Sequence, residues 1–295
     1  MMAGKKRQII FISAAVLLLF ILFIFGWDAK HFSEPKDDEV AVYFIDTGQS
    51  DAVLIKQREN AVLVDTGDVD NQGEIVSFLH SKDVKRLDAL VISHPHSDHI
   101  GSAMAVLDNF SVKQLYMPEI SYTLEDDTVF VAETLKLASE KGVAFTPAKR
   151  GTEFKIGEMD FRIISPDRKY DAVNDYSLVV RMEYKGKSFL FCGDIEENAQ
   201  NDIYESEEMI SSDVIKMPHH GAYNEGIEDF IFKIQPRYAV ITVGSENTYG
   251  HPNVNTLMAL KDLKTDVYRT DRHGTVVIFC DGVNFTVETE RDYDV

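Results

Sequence analysis

Only two cysteines, Cys192 and Cys280, occur in 295 residues. Thiols this scarce exclude a disulfide-rich scaffold and a multi-cysteine zinc module. Each reads first as a small buried hydrophobe, and whether the two can pair depends on how close the fold brings them. Basic residues are scarce as well: 30 Lys and Arg stand against 49 Asp and Glu, a formal charge of −19. That balance argues against an extended positive surface that would hold nucleic acid through its phosphates alone. It leaves room for a nucleic-acid enzyme, because bound metal ions supply positive charge locally. Neither an internal repeat nor a Gly-x-Ser-x-Gly nucleophile elbow is present. The remaining composition, 44% hydrophobic and 27% charged, is that of an ordinary globular chain. Its length suits one or two domains, and the absence of a second composition shift favours one.

Long hydrophobic runs are absent except at the start. Lys5, Lys6 and Arg7 precede residues 9–25, which are apolar apart from Ser13. At about 1.5 Å per residue, residues 8–27 are long enough to cross a hydrocarbon core of about 30 Å. A cleaved signal has a shorter apolar stretch followed by small residues. Here the run is bulky and ends in Phe25-Gly26-Trp27, where the tryptophan suits a membrane interface. The expectation is a single-pass anchor at 8–27 in the cell membrane, with 1–7 a cytoplasmic basic segment and 28–39 a tether. Residues 40–295 then form a catalytic domain outside the cytoplasm. The alternative is secretion after signal cleavage.

Beyond the tether, β-rich runs recur at 40–45, 52–56, 61–65, 87–92, 159–165, 177–184, 187–192, 213–216, 238–243 and 275–280. Turn chemistry separates them, as in Asp46-Thr47-Gly48, Lys185-Gly186-Lys187 and Asp281-Gly282. Apolar periodicity predicts helices at 74–81, 128–140, 228–234 and 253–263. Strand pairs followed by single helices predict sheets covered by helices, an α/β layered domain. The acidic stretch from Glu196 to Glu208 reads as a solvated helix face.

The histidines cluster. Three of the nine lie in Ser93-His94-Pro95-His96-Ser97-Asp98-His99, directly after an apolar strand. If the backbone stays extended, His94 and His96 project the same way and can grip one metal. Asp98 and His99 then turn onto a second metal. Imidazole and carboxylate suit zinc, manganese or iron. Two further strands end in chemistry of the same kind, one in Gly193-Asp194 and one in Pro218-His219-His220-Gly221. Strand ends are where α/β sites gather. Asp194 as a bridging carboxylate and His220 as a ligand complete a two-metal set. Asp65, ending another buried strand, is expected to orient a metal-binding histidine. His251, in Tyr249-Gly250-His251-Pro252, can give a proton to a leaving group or hold a phosphate oxygen. Arg269 and His273 are candidates for phosphate contacts, and Arg269 can equally serve a surface ion pair.

His94-Pro95-His96-Ser97-Asp98-His99 matches the HxHxDH signature, and the chain resembles the metallo-β-lactamase superfamily. That resemblance implies an αββα four-layer sandwich. More narrowly, the domain resembles the hydrolase domain of ComEC-type DNA-uptake proteins and their stand-alone relatives. The supporting segments are Phe44-Ile45-Asp46-Thr47-Gly48-Gln49-Ser50-Asp51-Ala52, Leu63-Val64-Asp65-Thr66-Gly67, Asn174-Asp175-Tyr176-Ser177-Leu178, His219-His220-Gly221, Tyr249-Gly250-His251-Pro252 and Arg269-Thr270-Asp271. A weaker similarity is to phosphorylcholine esterases of cell-wall teichoic acid. Asp46, from the first of these segments, joins the candidates beside the ligands or the substrate.

Two departures accompany the resemblance. Ser50 stands where the family usually has glycine. No histidine lies between His99 and His219, although many members place a metal ligand shortly before Gly-Asp. Asn174 or Asp175 can stand in, or His219 or His251 can complete the first ion's shell. That gap argues against β-lactamase activity itself.

The expected function is a dinuclear metallohydrolase, with zinc as the first expectation and manganese the alternative. Its substrate is expected to be a phosphodiester, single-stranded DNA or a wall polymer, with no obligate protein partner. A lactonase or thioesterase is the second enzyme reading, and a catalytically silent binding module the third.

Overall fold

The computed structural model describes residues 32–119 and 128–293. The expected anchor at 8–27 and the basic segment at 1–7 lie outside the described residues. Among those described, no helix is long and apolar enough to cross a membrane. The described residues from 34 onward form a single compact unit.

Two large sheets face each other. The first holds β1 (Val40–Phe44), β2 (Val53–Gln57), β3 (Asn60–Val64), β5 (Ala89–Val91), β7 (Gln114–Pro118), β8 (Ala144–Ala148), β16 (Val276–Cys280) and β17 (Phe285–Thr289). Their order is β17-β16-β1-β2-β3-β5-β7-β8. From β17 to β3 neighbours run antiparallel, and from β3 to β8 parallel. Two short strands, β4 (Arg86–Leu87) and β6 (Ser111–Val112), pair separately. The second sheet holds β9 (Glu153–Ile156), β10 (Met159–Ser165), β11 (Val179–Tyr184), β12 (Lys187–Phe191), β13 (Val214–Lys216), β14 (Tyr238–Ile241) and β15 (Asp266–Arg269). They lie in the order β15 to β9, antiparallel through β12 and parallel from β12 to β15.

Period-two alternation sorts the side chains. Val40, Val42 and Phe44 point between the sheets, where they meet Phe161, Met182, Phe189 and Val240 from the other sheet. Tyr43 points the opposite way and packs edge-on against Phe78 of the helix Gln72–Ser81, ring centroids 5.8 Å apart. On the far side of the second sheet, Leu190, Ile215 and Ala239 pack under Ile203, Phe230 and Leu260. Those three come from helices Glu197–Glu205, Ile227–Ile234 and Val254–Asp262. The layers therefore run helix, sheet, sheet, helix, as the resemblance implies.

The same alternation settles the cysteines. Cys280 faces the space between the sheets, while Cys192, just past β12, faces the helices of the second sheet. Both are free and buried, so the disulfide left open above is not formed. Burial pushes the Cys280 thiol up to about 11, and the Cys192 thiol higher still for the same reason. Both are poor nucleophiles at neutral pH.

Candidate metal centre

His94–His99, Asp194 and His220 sit just beyond the C-terminal ends of parallel strands. β5 leads to His94–His99, β12 to Asp194 and β13 to His220. The extended stretch after β5 is anchored by Asp65, whose carboxylate accepts from the Ser93 N–H (2.7 Å) and the Ser93 hydroxyl (2.8 Å). His94 and His96 converge as the sequence spacing predicts, with His94 Nε2 3.0 Å from His96 Nδ1. The chain then turns into the single-turn helix Ser97–Ile100, which carries Asp98 and His99 and sets the His99 ring beside that of His94, centroids 4.1 Å apart.

Asp98, His99, Asp194 and His220 each offer a ligand atom, and these atoms all lie within 4.8 Å of one another. His99 Nε2 is 3.3 Å from Asp194 Oδ2 and 3.7 Å from Asp98 Oδ2. His220 Nε2 is 3.2 Å from Asp98 Oδ2 and 3.7 Å from Asp194 Oδ2. What holds the rings decides their chemistry. His99 Nδ1 is 2.9 Å from Asp65 Oδ2, and His220 Nδ1 is 2.8 Å from the Thr242 carbonyl oxygen. Both partners are acceptors, so each Nδ1 carries the proton and each Nε2 turns a lone pair toward carboxylates. His99 Nε2 and Asp194 Oδ1 are buried without a hydrogen-bond partner. A cation among the carboxylates would satisfy both orphaned atoms. The residues fit a divalent metal.

The ionisation pattern has the same origin. Burial opposes charge on His99 and His220, yet both are pushed up, His99 by Asp194, Asp98, Asp65 and Asp51 and His220 chiefly by Asp194 and Asp51. Burial likewise opposes the Asp98 and Asp194 carboxylates, and the histidines hold both below the usual range. His94 has fewer carboxylates about it, and burial pushes it well down. His94 is thus a neutral imidazole, its Nδ1 3.1 Å from Ser93 Oγ and 3.3 Å from Ser177 Oγ.

Two backbone features aim these groups. His219 and His220 both adopt left-handed geometry (φ 47° and 53°), which non-glycine residues rarely do. Gly193 is also left-handed (φ 53°), and a Cβ there would stand 2.8 Å from that of Ser177 and 2.9 Å from that of Ser93. Only glycine lets Asp194 approach the serines beneath His94.

The other candidates divide. A cleft of about 350 Å³ opens over the centre, and Asn174, His219 and His251 line it. Asn174 donates to Glu196 Oε1 at 2.8 Å, while its own Oδ1 is buried without a partner. His219 Nδ1 lies 3.2 Å from Glu196 Oε1, and its Nε2 lies 3.9 Å from Asp194 Oδ2. Asp175 turns away: its carboxylate accepts from the N–H groups of Glu196 and Ala199 and so caps the helix that follows Asp194. A ligand role for Asp175 is therefore withdrawn.

Arg269 is not in the cleft lining either; its Nε donates to Asp271 at 2.9 Å, the ion-pair reading. His273 receives the Arg269 N–H at Nδ1. Asp46 pairs with Arg291 away from the cleft. Burial, then His219 and His220, push His251 down to about 4. At neutral pH it is an uncharged imidazole, suited to hydrogen bonding rather than to delivering a proton from an imidazolium. Ser50 keeps φ negative, and its hydroxyl donates to the Thr47 carbonyl at 2.8 Å, so the missing glycine costs the turn nothing visible.

Sequence reasoning missed the cation under the site. Lys216 is buried beside Asp51, pairs with its carboxylate, and reaches Gly193 O at 3.2 Å and Asp194 Oδ1 at 3.8 Å. Asp51 also accepts from Thr242 Oγ1, and its own N–H donates to the Asp98 carbonyl at 3.0 Å. One buried ion pair thus ties the Asp98 loop to the strand that carries His220. The available signal was a lysine inside the apolar run Val214-Ile215-Lys216-Met217.

Facing sheets with paired His/Asp ligands at their strand ends define a metallohydrolase. A family model of the metallo-beta-lactamase superfamily matches residues 45–244, and the chain belongs to that superfamily. Among named relatives it is 32% identical over 299 residues to ComE operon protein 3 of Bacillus subtilis, covering 94% of this chain and 37% of that protein. It is 26% identical over 259 residues to competence protein ComA of Neisseria gonorrhoeae, covering 87% and 34%. The chain spans about a third of the length of these relatives. Among solved structures, the metallo-beta-lactamase fold protein YhfI from Bacillus subtilis has a TM-score of 0.53 at 12% identity. That match covers 79% of this chain and 96% of that one, a likeness of fold alone.

Proposed function

We propose that the chain is a two-metal phosphodiesterase of the competence-protein kind, anchored in the membrane by residues 8–27 with its catalytic domain outside. The observation that carries the reading is the ligand set: Asp98, His99, Asp194 and His220 converge within 4.8 Å, and His94 and His96 converge beside them. In this reading the first four hold one ion, His94 and His96 hold the second, and Asp194 bridges the two. Asn174 Oδ1, buried and unpartnered in the cleft, is the donor that fits the place of the missing histidine.

Bound zinc or manganese would supply Lewis acidity and a water acidified to near neutrality. The chain's own residues do the rest. Asp65 and the Thr242 carbonyl fix the tautomers of His99 and His220. His251, uncharged at the cleft wall, offers a hydrogen bond to a substrate oxygen. Among the described residues no lysine or arginine lines the cleft, so neutralising a phosphate there depends on the ions. The membrane placement rests on Lys5, Lys6 and Arg7 before a spanning-length apolar run. The resemblance to DNA-uptake proteins, with one relative named a competence protein, supports a DNA strand over a wall polymer.

The test is a substrate panel on the full chain loaded with zinc or manganese. Hydrolysis of bis(p-nitrophenyl) phosphate and of single-stranded DNA is expected, and a chelator should abolish both. Cleavage of a lactone with neither diester touched would replace this reading with the carbonyl-hydrolase one.

A further inference from the structure

Tyr249 lines the cleft with 72% of its surface exposed, unusual for a large aromatic residue beside a buried centre. Its ring stacks on His251, centroids 5.8 Å apart and planes 26° from parallel. The His251 ring is in turn 25° from that of His220, at 6.4 Å. Three rings thus step from solvent down to a ligand of the metal centre. The step is held rigid from below: Asn247 accepts the His251 N–H (3.1 Å) and donates to the His251 carbonyl (2.9 Å) and the Gly244 carbonyl (2.8 Å). No other ring packs on Tyr249 among the described residues.

The surroundings say what such a surface is for. Among the described residues no lysine or arginine lines the cleft of this chain of charge −19, so the phosphates flanking the scissile one find no cationic side chain there. Beyond what the ions supply at the scissile phosphate, affinity for a polymeric diester is left to contacts that ignore charge. An exposed, pre-positioned aromatic face supplies one, since any base can stack on it.

We propose that Tyr249 is a stacking platform for the nucleobase next to the scissile phosphate of a single strand. This inference rests on the phosphodiesterase reading above and narrows its substrate to nucleic acid. The role is binding, so it appears in KM and not in kcat.

Two diesters sharing one leaving group separate the effects: thymidine 5′-(p-nitrophenyl phosphate), which has a base, and methyl p-nitrophenyl phosphate, which has none. For Tyr249→Ala the KM of the first should rise by about 5- to 150-fold, with its kcat and both constants of the second within twofold of wild type. Tyr249→Trp should restore the lower KM. Equal changes on both substrates, or none on either, overturn the proposal. Binding is read separately with methylphosphonate-linked oligothymidylate, which keeps its bases but has neither backbone charge nor a cleavable diester. If the wild type hydrolyses neither diester, the phosphodiesterase reading has failed, and this binding arm still decides Tyr249: weakening of fivefold or more in Tyr249→Ala supports the platform, and unchanged affinity overturns it. A glycosylated polyol phosphate that loses affinity in Tyr249→Ala while the oligothymidylate does not would also overturn it, in favour of a sugar-stacking surface.

Discussion

Asp194→Ala lowers turnover by about 10³-fold or more and empties the centre of metal, while the chain stays folded. The expectation follows from where the carboxylate stands. Its Oδ2 faces His99 Nε2 at 3.3 Å and His220 Nε2 at 3.7 Å, and its Oδ1 is buried without a hydrogen-bond partner, the Lys216 ammonium standing 3.8 Å away. Asp98 Oδ2 also reaches both Nε2 atoms, at 3.7 and 3.2 Å, but from a half-exposed position at the cleft, whereas Asp194 is buried and Asp65 lies behind His99. Metal content by mass spectrometry and circular dichroism on the same sample separate ligand loss from misfolding. Asp194→Asn keeps the shape and removes the charge, and it should lose metal as well. Full metal occupancy in either variant would show that Asp194 is not a ligand.

The second large effect lies beneath the centre. Lys216→Met should destabilise the domain by about 3–5 kcal/mol, because it strands the Asp51 carboxylate in a buried site. For a domain of this size that corresponds to a fall in Tm of roughly 6–20 °C. Removing both charges, as Lys216→Met with Asp51→Leu, should recover much of the loss, since a buried pair and an apolar pair of similar volume are often close in stability. Metal affinity should not recover in the double variant. The Asp51 carboxylate accepts from Thr242 Oγ1 and pairs with Lys216 on the strand leading to His220; leucine keeps the backbone bond to the Asp98 carbonyl but neither of these contacts. Thermal denaturation and metal titration of the three variants read the two effects independently. A single variant as stable as wild type would mean that the pair contributes nothing.

The convergence of the candidate ligands was legible because its chemistry is local. His94, His96, Asp98 and His99 fall within one short stretch, and Asp194 and His220 follow apolar strands whose ends are visible in sequence. What supports them was not legible. Lys216 and Asp51 are 165 positions apart, and only the packing of strand against loop makes them a pair. Asn174 and Asp175 are neighbours that sequence could not tell apart. In the 3₁₀ turn Asn174–Tyr176 one faces the cleft and the other caps a helix. Arg269 next to Thr270-Asp271 looked available for phosphate until the fold closed it onto Asp271.

The strands followed the same logic. Buried β1, β3, β12 and β16 announce themselves as apolar runs, whereas β8, which contains Pro147, and the four-residue β9 form largely exposed edges with no such run to mark them. The short helices Ser97–Ile100 and Ala103–Asn109 went unpredicted because tertiary anchoring, not periodicity, defines them. The first of them carries Asp98 and His99.

The central claim is that one chain holds two ions on these particular side chains. A crystal of the full chain grown with manganese, measured for anomalous scattering at the manganese edge, tests it most directly. Two peaks are expected, one among Asp98, His99, Asp194 and His220 and one at His94 and His96, with Asp194 touching both. A single peak, or peaks away from these residues, would contradict the two-metal account.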